Sequence, residues 1–212
     1  LTSVIGYLTL LQDEPQLSEA MRQRYTGIAL DKAQRLEELI NEFFDITRFN
    51  LSTLELELER INLSRMLEQM VDEFSPILAG KQLTWEAHIQ PDVEILCDPG
   101  KMERVFDNLI RNAISYSYPR SPITLTMTSD GTKVEITVTN RGRTIPPEKL
   151  SRIFEQFYRV DSARSVRTGG AGLGLAIAKE LVLLHGGSIR AESQSESISF
   201  FLSLPANCQK IV

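Results

Sequence analysis

Four glycines fall within six residues in the stretch that runs from Thr168 to Glu180. Glycine adopts positive φ angles at little cost and lets the backbone approach a ligand closely. The apolar, alanine-bearing residues after Gly174 predict a helix. The first turn of a helix leaves N–H groups unpaired at its positive end. Together these features predict a phosphate-binding corner, and the structural alternative is a hinge before a surface helix.

The surrounding residues exclude the commoner glycine loops. The sequence contains no G-x-x-x-x-G-K-[ST], so this stretch is not a P-loop. A G-x-G-x-x-G motif counted from Gly170 and Gly172 would need glycine where Leu175 stands. The preceding residues 159–167 are polar and basic, whereas Rossmann and protein-kinase loops follow a hydrophobic strand. We interpret 159–167 as a lid whose arginines could reach phosphates.

Two asparagines form a second chemical cluster. Asn108 and Asn112 are four residues apart, so they share one face of a predicted helix. Asparagine is a poor residue for a helix interior, which implies that these amides have partners. A carboxamide oxygen is a suitable ligand for Mg²⁺, which usually arrives with nucleotide phosphates. The alternative is a pair of solvated asparagines.

A third cluster, 140–147, follows a predicted strand. Asn140 supplies a side-chain acceptor, Gly142 permits close approach, and Ile145 is apolar. Such a set could recognise the edge and the face of a base. Taken alone, the segment is typical of a strand-to-helix turn. The interpretation as a base-binding segment depends on its position between the other two clusters.

Length and composition limit the classes of function. The 212 residues suit one or two domains, and 42% hydrophobic with 24% charged residues favours a folded core over disorder. The net charge of −5 gives no electrostatic support for nucleic-acid binding. Cys97 and Cys208 fit neither a zinc cluster nor a disulfide framework, which favours a reducing compartment. His88 is predicted at the surface and His185 at a helix end, both with structural roles.

The first 50 residues predict a helical hairpin. One helix covers 1–12, Pro15 interrupts it, and a second helix runs from an N-cap at Ser18 to about Phe49. Apolar residues in the second helix recur at spacings of three and four. Because such a hairpin buries too little on its own, we expect a dimeric four-helix bundle. The alternative is that both helices pack on the rest of the chain.

From Leu54 onward, strands and helices interleave. We expect two domains, 1–52 and 53–212, and the second is predicted to be an α+β two-layer sandwich with helices on one sheet face. A hairpin is expected around Asp130-Gly131. The predicted strands are 55–61, 83–89, 93–97, 122–128, 132–139, 187–193 and 197–204. The predicted helices are 64–78 (capped by Asn62 or Ser64), 99–116, 147–157 and 172–185.

The order of the clusters resembles that in sensor histidine kinases, whose catalytic and ATP-binding domain has the Bergerat-type ATP fold. Asn108–Asn112 is similar to the N box of that family, and Asn140–Ile145 to the G1 box. Phe154–Arg159 resembles the F box, and Gly170–Gly174 the G2 box. The hairpin 1–50 is similar to the family's dimerisation and phosphotransfer domain.

Within the family, four segments are most similar to VanS-type vancomycin-resistance sensor kinases: TSVIGYL, EFFDITRFN, FEQFYRVDSARS and TGGAGLGLAIAKE. The resemblance implies transfer of the ATP γ-phosphoryl group to a histidine, then relay to an aspartate of a response regulator. It also implies a homodimer through 1–50. The full-length protein is expected at the cytoplasmic side of the cell membrane, attached only through segments outside this chain, which by itself is expected to be soluble.

The resemblance implies roles for residues in all four boxes. Asn112 would coordinate Mg²⁺, Asn108 would support the phosphates, Tyr116 would lie along the adenine, and Asn140 would accept its amino group. The resemblance assigns no catalytic side chain to this chain. The implied ATP-binding residues are Asn108, Arg111, Asn112, Tyr116, Asn140, Gly142, Ile145, Arg159, Gly170, Gly172, Leu173, Gly174 and Leu175.

Three features depart from the family pattern. The acceptor histidine would belong to an H-[ED]-x-K-T-P-type segment immediately before Leu1, and neither His88 nor His185 can replace it. We therefore expect this chain to bind nucleotide without phosphorylating itself. Asn140 stands where the family has aspartate, and a charged acceptor forms a hydrogen bond about twice as strong. Thr144 replaces a glycine and would crowd the base, so we expect weak ATP binding.

Two other classes of function remain open at this point. One is an ATPase of the same fold, like gyrase or MutL, in which a glutamate lies four residues before the metal-binding asparagine. Here that residue is Asn108, and a carboxamide cannot act as a general base. The other is a non-enzymatic module that only docks a response regulator.

Overall fold

The break around Pro15 separates two helices in the computed structural model. Helix α1 spans Thr2–Asp13 and α2 spans Glu19–Asn50. The Ser18 hydroxyl accepts a hydrogen bond from the Met21 N–H at 3.4 Å, which confirms the predicted N-cap. The rings of Tyr7 and Tyr25 lie 5.6 Å apart between the two helices. The helical hairpin is therefore confirmed.

The structure describes residues 2–14, 16–50, 55–160 and 172–208, without the side chains of 35, 37–39 and 41–50. The chain divides into two compact units, Leu1–Ser52 and Thr53–Val212. Among the described helices, none combines the length and the apolar character needed to cross a bilayer.

The hairpin leaves much of its apolar surface uncovered within its own unit. Ala29 is buried, at 5% exposure, in α2. Several larger apolar side chains are well exposed: Ile5, Leu8, Leu10, Met21, Leu30 and Ile40. Because burial of such side chains stabilises a helix, this surface is suited to contact with another helical surface.

The second unit is built on a five-stranded sheet in the order β2-β4-β5-β7-β6, in which only β2 and β4 pair in parallel. Strands β1 and β3 pair antiparallel as a separate two-stranded sheet. The strands are β1 (Glu59–Asn62), β2 (Thr84–Ile89), β3 (Glu94–Cys97), β4 (Pro122–Ser129), β5 (Lys133–Arg141), β6 (Ser188–Gln194) and β7 (Ser197–Pro205). The helices are α3 (Leu63–Gly80), α4 (Pro99–Tyr116), α5 (Pro147–Leu150) and α6 (Gly174–Leu184).

The hydrophobic core lies between this sheet and its helices. Alternate residues of β4, β5 and β7 are buried, as expected for a sheet with one covered face. Helix α4 contributes Val105, Phe106 and Leu109, all at 0% exposure, and it packs against both β5 and α6. The predicted α+β two-layer sandwich is confirmed.

Two predicted elements are shorter than the sequence suggested. The strand predicted over 55–61 begins only at Glu59, because the Glu57 N–H is bonded to the Asp98 carboxylate instead of a strand. The helix predicted over 147–157 ends at Leu150. Beyond it the backbone forms i→i+3 turns, and Phe157 has a left-handed φ of 62°, which an α-helix cannot contain.

Both histidines have the structural character that was predicted. His88 is exposed on β2. His185 is 1% exposed, its Nδ1 lies 2.7 Å from the Leu181 carbonyl oxygen, and its Nε2 accepts a hydrogen bond from the Asp98 N–H at 3.1 Å. Burial lowers the pKa of His185, so the ring is neutral and fixed as one tautomer.

Asp98 is the N-cap of α4, and its carboxylate makes the stability of the fold depend on pH. Its carboxylate accepts hydrogen bonds from the Lys101 and Glu57 N–H groups, each at 3.0 Å, and pairs with the Lys101 ammonium group. Burial alone would raise the pKa of Asp98, but these hydrogen bonds lower it below its usual value. The stabilisation is therefore present above pH of about 4 and is lost as the pH falls through the lowered pKa.

We predict that Asp98→Ala lowers the free energy of unfolding at neutral pH by about 1–2 kcal/mol, because the helix loses its cap. Asp98→Asn keeps a capping oxygen but cannot titrate, so it should lose less. Urea unfolding at a series of acidic pH values should show the difference between the parent and Asp98→Asn shrinking as the pH falls. A difference that stays constant down to the lowest pH would contradict the role of the carboxylate.

Candidate functional site

Helix α4 presents its two predicted asparagines toward one side of the second unit. Asn108 and Asn112 are both half-buried, and one turn further Tyr116 is 41% exposed at the end of the helix. The Asn108 Nδ2 atom is buried and has no hydrogen-bond partner in the described part of the chain. Since buried amides are normally paired, this donor is a candidate contact for a ligand.

The start of α6 lies directly against Asn108. A Cβ atom on Gly174 would come within 2.8 Å of the Asn108 Oδ1 atom, so glycine here lets the start of α6 contact this side chain without displacing it. The N-cap residue of α6 is Leu173, which provides no side-chain capping bond. The first N–H groups of α6 are thus left without a capping side chain, as in helix ends that bind anions.

Gly172 joins the glycine stretch to the F box. Its φ of 78° lies in the left-handed region, and a Cβ atom there would approach the Tyr158 carbonyl oxygen to 2.8 Å. The Phe157 N–H donates to the Gly172 carbonyl oxygen at 3.0 Å. A Cβ on Gly172 would also lie 3.2 Å from the Arg159 Cγ atom, so that half-buried arginine lies beside the glycine stretch.

Asn140 is the most deeply buried polar residue of the predicted site. It is 1% exposed, and neither its Oδ1 nor its Nδ2 atom has a hydrogen-bond partner among the described residues. In the sheet it is paired in register with Ile123 of β4 and Ile198 of β7, whose side chains are apolar. The amide of Asn140 is thus removed from solvent without a protein hydrogen-bond partner in the described part of the chain.

Gly142 holds the end of β5 against the end of α4. A Cβ atom on Gly142 would come within 2.5 Å of the Tyr116 carbonyl oxygen and 3.2 Å of the Asn140 Nδ2 atom. The Tyr118 N–H donates to the Arg141 carbonyl oxygen at 2.7 Å. These contacts bring the N box and the G1 box together, although they are about 30 residues apart in the sequence.

The turn between β6 and β7 supports the G1 box, and sequence reasoning missed this contribution. The Gly142 N–H donates to the Glu196 carbonyl oxygen at 2.9 Å. The Glu196 N–H donates to the Thr144 hydroxyl at 3.0 Å, and the Ser193 hydroxyl accepts from the Ile145 N–H at 2.8 Å. Thr144 therefore anchors this turn. The expected crowding of a base by Thr144 stays a prediction.

The Arg111 side chain contacts a neighbouring carboxylate and an aromatic ring of α3. Its Nε atom donates to both carboxylate oxygens of Asp107 at 2.9 Å. Its guanidinium carbon lies 5.2 Å from the centre of the Phe74 ring in α3. These contacts direct the guanidinium toward α3, so a nucleotide role for Arg111 stays a prediction.

The remaining predicted site residues differ in burial. Leu173 is 2% exposed and belongs to the core, while Ile145 and Leu175 are half-buried. Gly170 lies outside the described residues, as does the predicted lid from residue 161 onward.

A metal ion at this site would take most of its ligands from water and from a bound phosphate group. Among the described residues, no group of three or more His, Cys, Asp or Glu side chains is arranged to hold a metal. Mg²⁺ usually keeps several waters and binds through few protein oxygens plus substrate phosphates. A single carboxamide such as that of Asn112 is compatible with this pattern.

The match with known families agrees with this geometry. Residues 97–207 match the family described as "Histidine kinase-, DNA gyrase B-, and HSP90-like ATPase", which defines an ATP-binding domain. Residues 1–52 match the "His Kinase A (phospho-acceptor) domain". The chain belongs to the sensor histidine kinases.

Individual relatives narrow this assignment. The chain is 58% identical over 205 residues to the sensor protein VanSC of Enterococcus gallinarum, covering 97% of this chain and 56% of the relative. It is 50% identical over 208 residues to the sensor protein VanS of Enterococcus faecium, covering 97% and 53%. The chain thus spans about half the length of the curated relatives it matches. The predicted similarity to VanS-type sensor kinases is confirmed.

Solved structures share the fold. The histidine kinase AdeS of Acinetobacter baumannii superposes with a TM-score of 0.77 at 20% identity, covering 97% of this chain and 94% of that chain. The catalytic domain of the histidine kinase ThkA gives a TM-score of 0.64 at 25% identity, covering 71% and 97%.

The buried amide of Asn140 generates a stability prediction. A buried polar group without a partner costs about 1–3 kcal/mol, so Asn140→Leu should raise the free energy of unfolding by about that amount. Asn62→Leu is the matched control, because the Asn62 Oδ1 atom accepts from the Arg65 N–H at 2.9 Å and caps α3. That control should lose about 1 kcal/mol. Urea unfolding of both variants is the measurement, and a loss of stability in Asn140→Leu equal to the control would contradict the unpaired amide.

Proposed function

We propose that this chain is the catalytic part of a two-component sensor histidine kinase that binds Mg²⁺–ATP between α4, α6 and the G1 box. The γ-phosphoryl group is transferred to a histidine and relayed to an aspartate of a response regulator. The observation that carries this proposal is that the buried Asn108 Nδ2 atom and both buried amide atoms of Asn140 have no hydrogen-bond partner among the described residues. They flank one site, and each has a hydrogen-bonding capacity that a bound nucleotide would satisfy.

The base is held by the end of β5 and the end of α4. Asn140 provides the polar edge, Gly142 removes the Cβ atom that would block the base, and Tyr116 offers an exposed aromatic face. Stacking on an aromatic side chain and pairing with a buried amide are complementary, since one recognises the face and the other the edge of a base.

The phosphates are held by the glycine stretch. The uncapped N-terminus of α6 supplies N–H groups and a favourable dipole, and Gly172 and Gly174 keep the backbone free of Cβ atoms. Arg159, beside Gly172, adds a positive charge, and Asn108 contributes its unpartnered Nδ2 atom. Gly170 and the basic lid are proposed to complete this surface.

The carboxamide of Asn112 would hold Mg²⁺, and the ion would supply positive charge against the phosphates. This chain's own residues bind and orient the nucleotide, and phosphoryl transfer depends mainly on such positioning. The histidine acceptor is itself the nucleophile, so the domain needs no general base. That agrees with a carboxamide at Asn108.

The acceptor is proposed to be a histidine next to the helical hairpin. Residues 1–52 match a phospho-acceptor domain but contain no histidine. His185 is buried and bonded at both ring nitrogens, so it cannot reach a nucleotide. We therefore propose that the acceptor histidine belongs to a part of the whole protein outside these 212 residues, since the chain spans only about half the length of its relatives.

The proposed assembly is a homodimer through 1–50. The exposed apolar side chains of the hairpin, such as Leu8 and Leu30, support this because another helical hairpin would bury them. By similarity to the VanS-type kinases, we propose that the natural protein acts at the cytoplasmic side of the membrane in glycopeptide-resistance signalling.

The two other classes of function are less compatible with these observations. An ATPase would need a general base near the site, where this chain has Asn108. In a pure docking module, the buried amide atoms of Asn108 and Asn140 that no described residue pairs would lower stability without any gain in binding.

We predict that the full-length natural protein, incubated with Mg²⁺ and ATP labelled on the γ-phosphate, acquires a label that is stable in alkali and lost in acid, as expected for phosphohistidine. Asn112→Ala should reduce the labelling rate at least about tenfold, because the metal loses its protein ligand. Asn207→Ala is the matched control, an exposed asparagine outside the site, and should leave the rate unchanged.

Two results would contradict the proposed kinase. Rapid release of inorganic phosphate without any label on the protein would favour the ATPase. A dimeric, folded protein that acquires no label and releases no phosphate would favour the docking module.

A further inference from the structure

We infer that the buried amide of Asn140 allows the site to accept 6-oxopurine nucleotides as well as adenine nucleotides. This inference rests on the proposed function, since it concerns the base that the same site recognises. It goes beyond that function by stating which chemical classes of base fit, and why.

The surroundings of Asn140 leave its amide free to present either edge. Both polar atoms lack hydrogen-bond partners in the described part of the chain. The residues paired with Asn140 across the sheet are Ile123 and Ile198, at 0% and 4% exposure, and their side chains cannot distinguish the oxygen from the nitrogen. No described side chain therefore fixes the orientation of the amide.

Rotation of the amide about its Cβ–Cγ bond exchanges donor and acceptor. Such terminal torsions are broad and roughly two-fold, so the two orientations are both accessible. A carboxamide has a carbonyl oxygen that accepts and an NH₂ group that donates, whereas an ionised carboxylate only accepts. Asn140 thus has two complementary settings, and an aspartate would have one.

The two settings match two classes of purine. Adenine carries a donor at N6 and an acceptor at N1, so the amide oxygen can accept from N6 while the amide nitrogen donates to N1. Hypoxanthine and guanine carry the reverse pattern, an acceptor at O6 and a donor at N1. The rotated amide pairs with that edge equally well, since an amide can pair with a base through two hydrogen bonds. A carboxylate would face the lone pairs of O6 without a proton between them.

The neighbouring Thr144 does not select between adenine and a 6-oxopurine. Its hydroxyl accepts from the Glu196 N–H at 3.0 Å, so it is bonded to the β6–β7 turn. Gly142 has no side chain, and a Cβ atom there would come within 3.2 Å of the Asn140 Nδ2 atom. Selection at position 6 of the base therefore depends on Asn140.

The test is the affinity of the purified chain for ADP, IDP and UDP in Mg²⁺, measured by calorimetry. IDP carries hypoxanthine, which differs from guanine in lacking the 2-amino group, so IDP isolates position 6 of the purine. We expect IDP to bind within about tenfold of ADP, and UDP to bind at least about tenfold more weakly than either.

Asn140→Asp is the matched variant. It should raise the ratio of ADP affinity to IDP affinity at least about tenfold above that of the parent chain, because only the parent residue can donate to O6. If this variant does not fold, the ratio of ADP to IDP affinity in the parent chain decides the question alone.

The outcomes separate the inference from the function on which it rests. Tight ADP binding with rejection of IDP by the parent chain would overturn the inference and leave the proposed function intact. UDP binding as tightly as ADP would also overturn the inference, because the base would then not be read. Absence of any ADP binding would overturn the proposed function and the inference together.

Discussion

The site depends on how closely backbone can approach helix α4. A Cβ atom on Gly142 would come within 2.5 Å of the Tyr116 carbonyl oxygen, and one on Gly174 within 2.8 Å of the Asn108 Oδ1 atom. Glycine at these two positions allows the end of β5 and the start of α6 to contact the same helix. As a result, segments far apart in the sequence lie against one helix, and we propose that this is where the nucleotide binds, with its base near the end of α4 and its phosphates near the start of α6.

The chain gives up stability at this site and gains it in the adjoining core. Asn108 and Asn140 hold buried polar atoms that no described residue satisfies, and each such group costs about 1–3 kcal/mol. On its other face α4 buries large side chains such as Phe106 at 0% exposure, which stabilise the helix by about 1.5–3 kcal/mol each. The buried apolar face of α4 thus stabilises the helix and keeps Asn108, on its opposite face, in position.

Local signals made most of the fold and part of the site predictable. The glycine stretch, the i, i+4 asparagines and the alternation of the strands all act over a few residues, so they can be read from the sequence. The contact of Thr144 with Glu196 and that of His185 with Asp98 join residues 52 and 87 apart, and no local pattern indicates them. The position of Arg111 could not be predicted for the same reason. Its guanidinium lies against Phe74 in α3, which is distant in the sequence.

The most direct test of the account is the NMR spectrum of the side-chain amides of the ¹⁵N-labelled chain during titration with Mg²⁺ and ADP. If Asn108 and Asn140 hold the nucleotide, their NH₂ signals should shift strongly as it binds. The NH₂ signal of Asn62, whose oxygen already caps α3, should stay in place. Saturable binding of ADP in which the signals of Asn108 and Asn140 move no more than that of Asn62 would contradict the account.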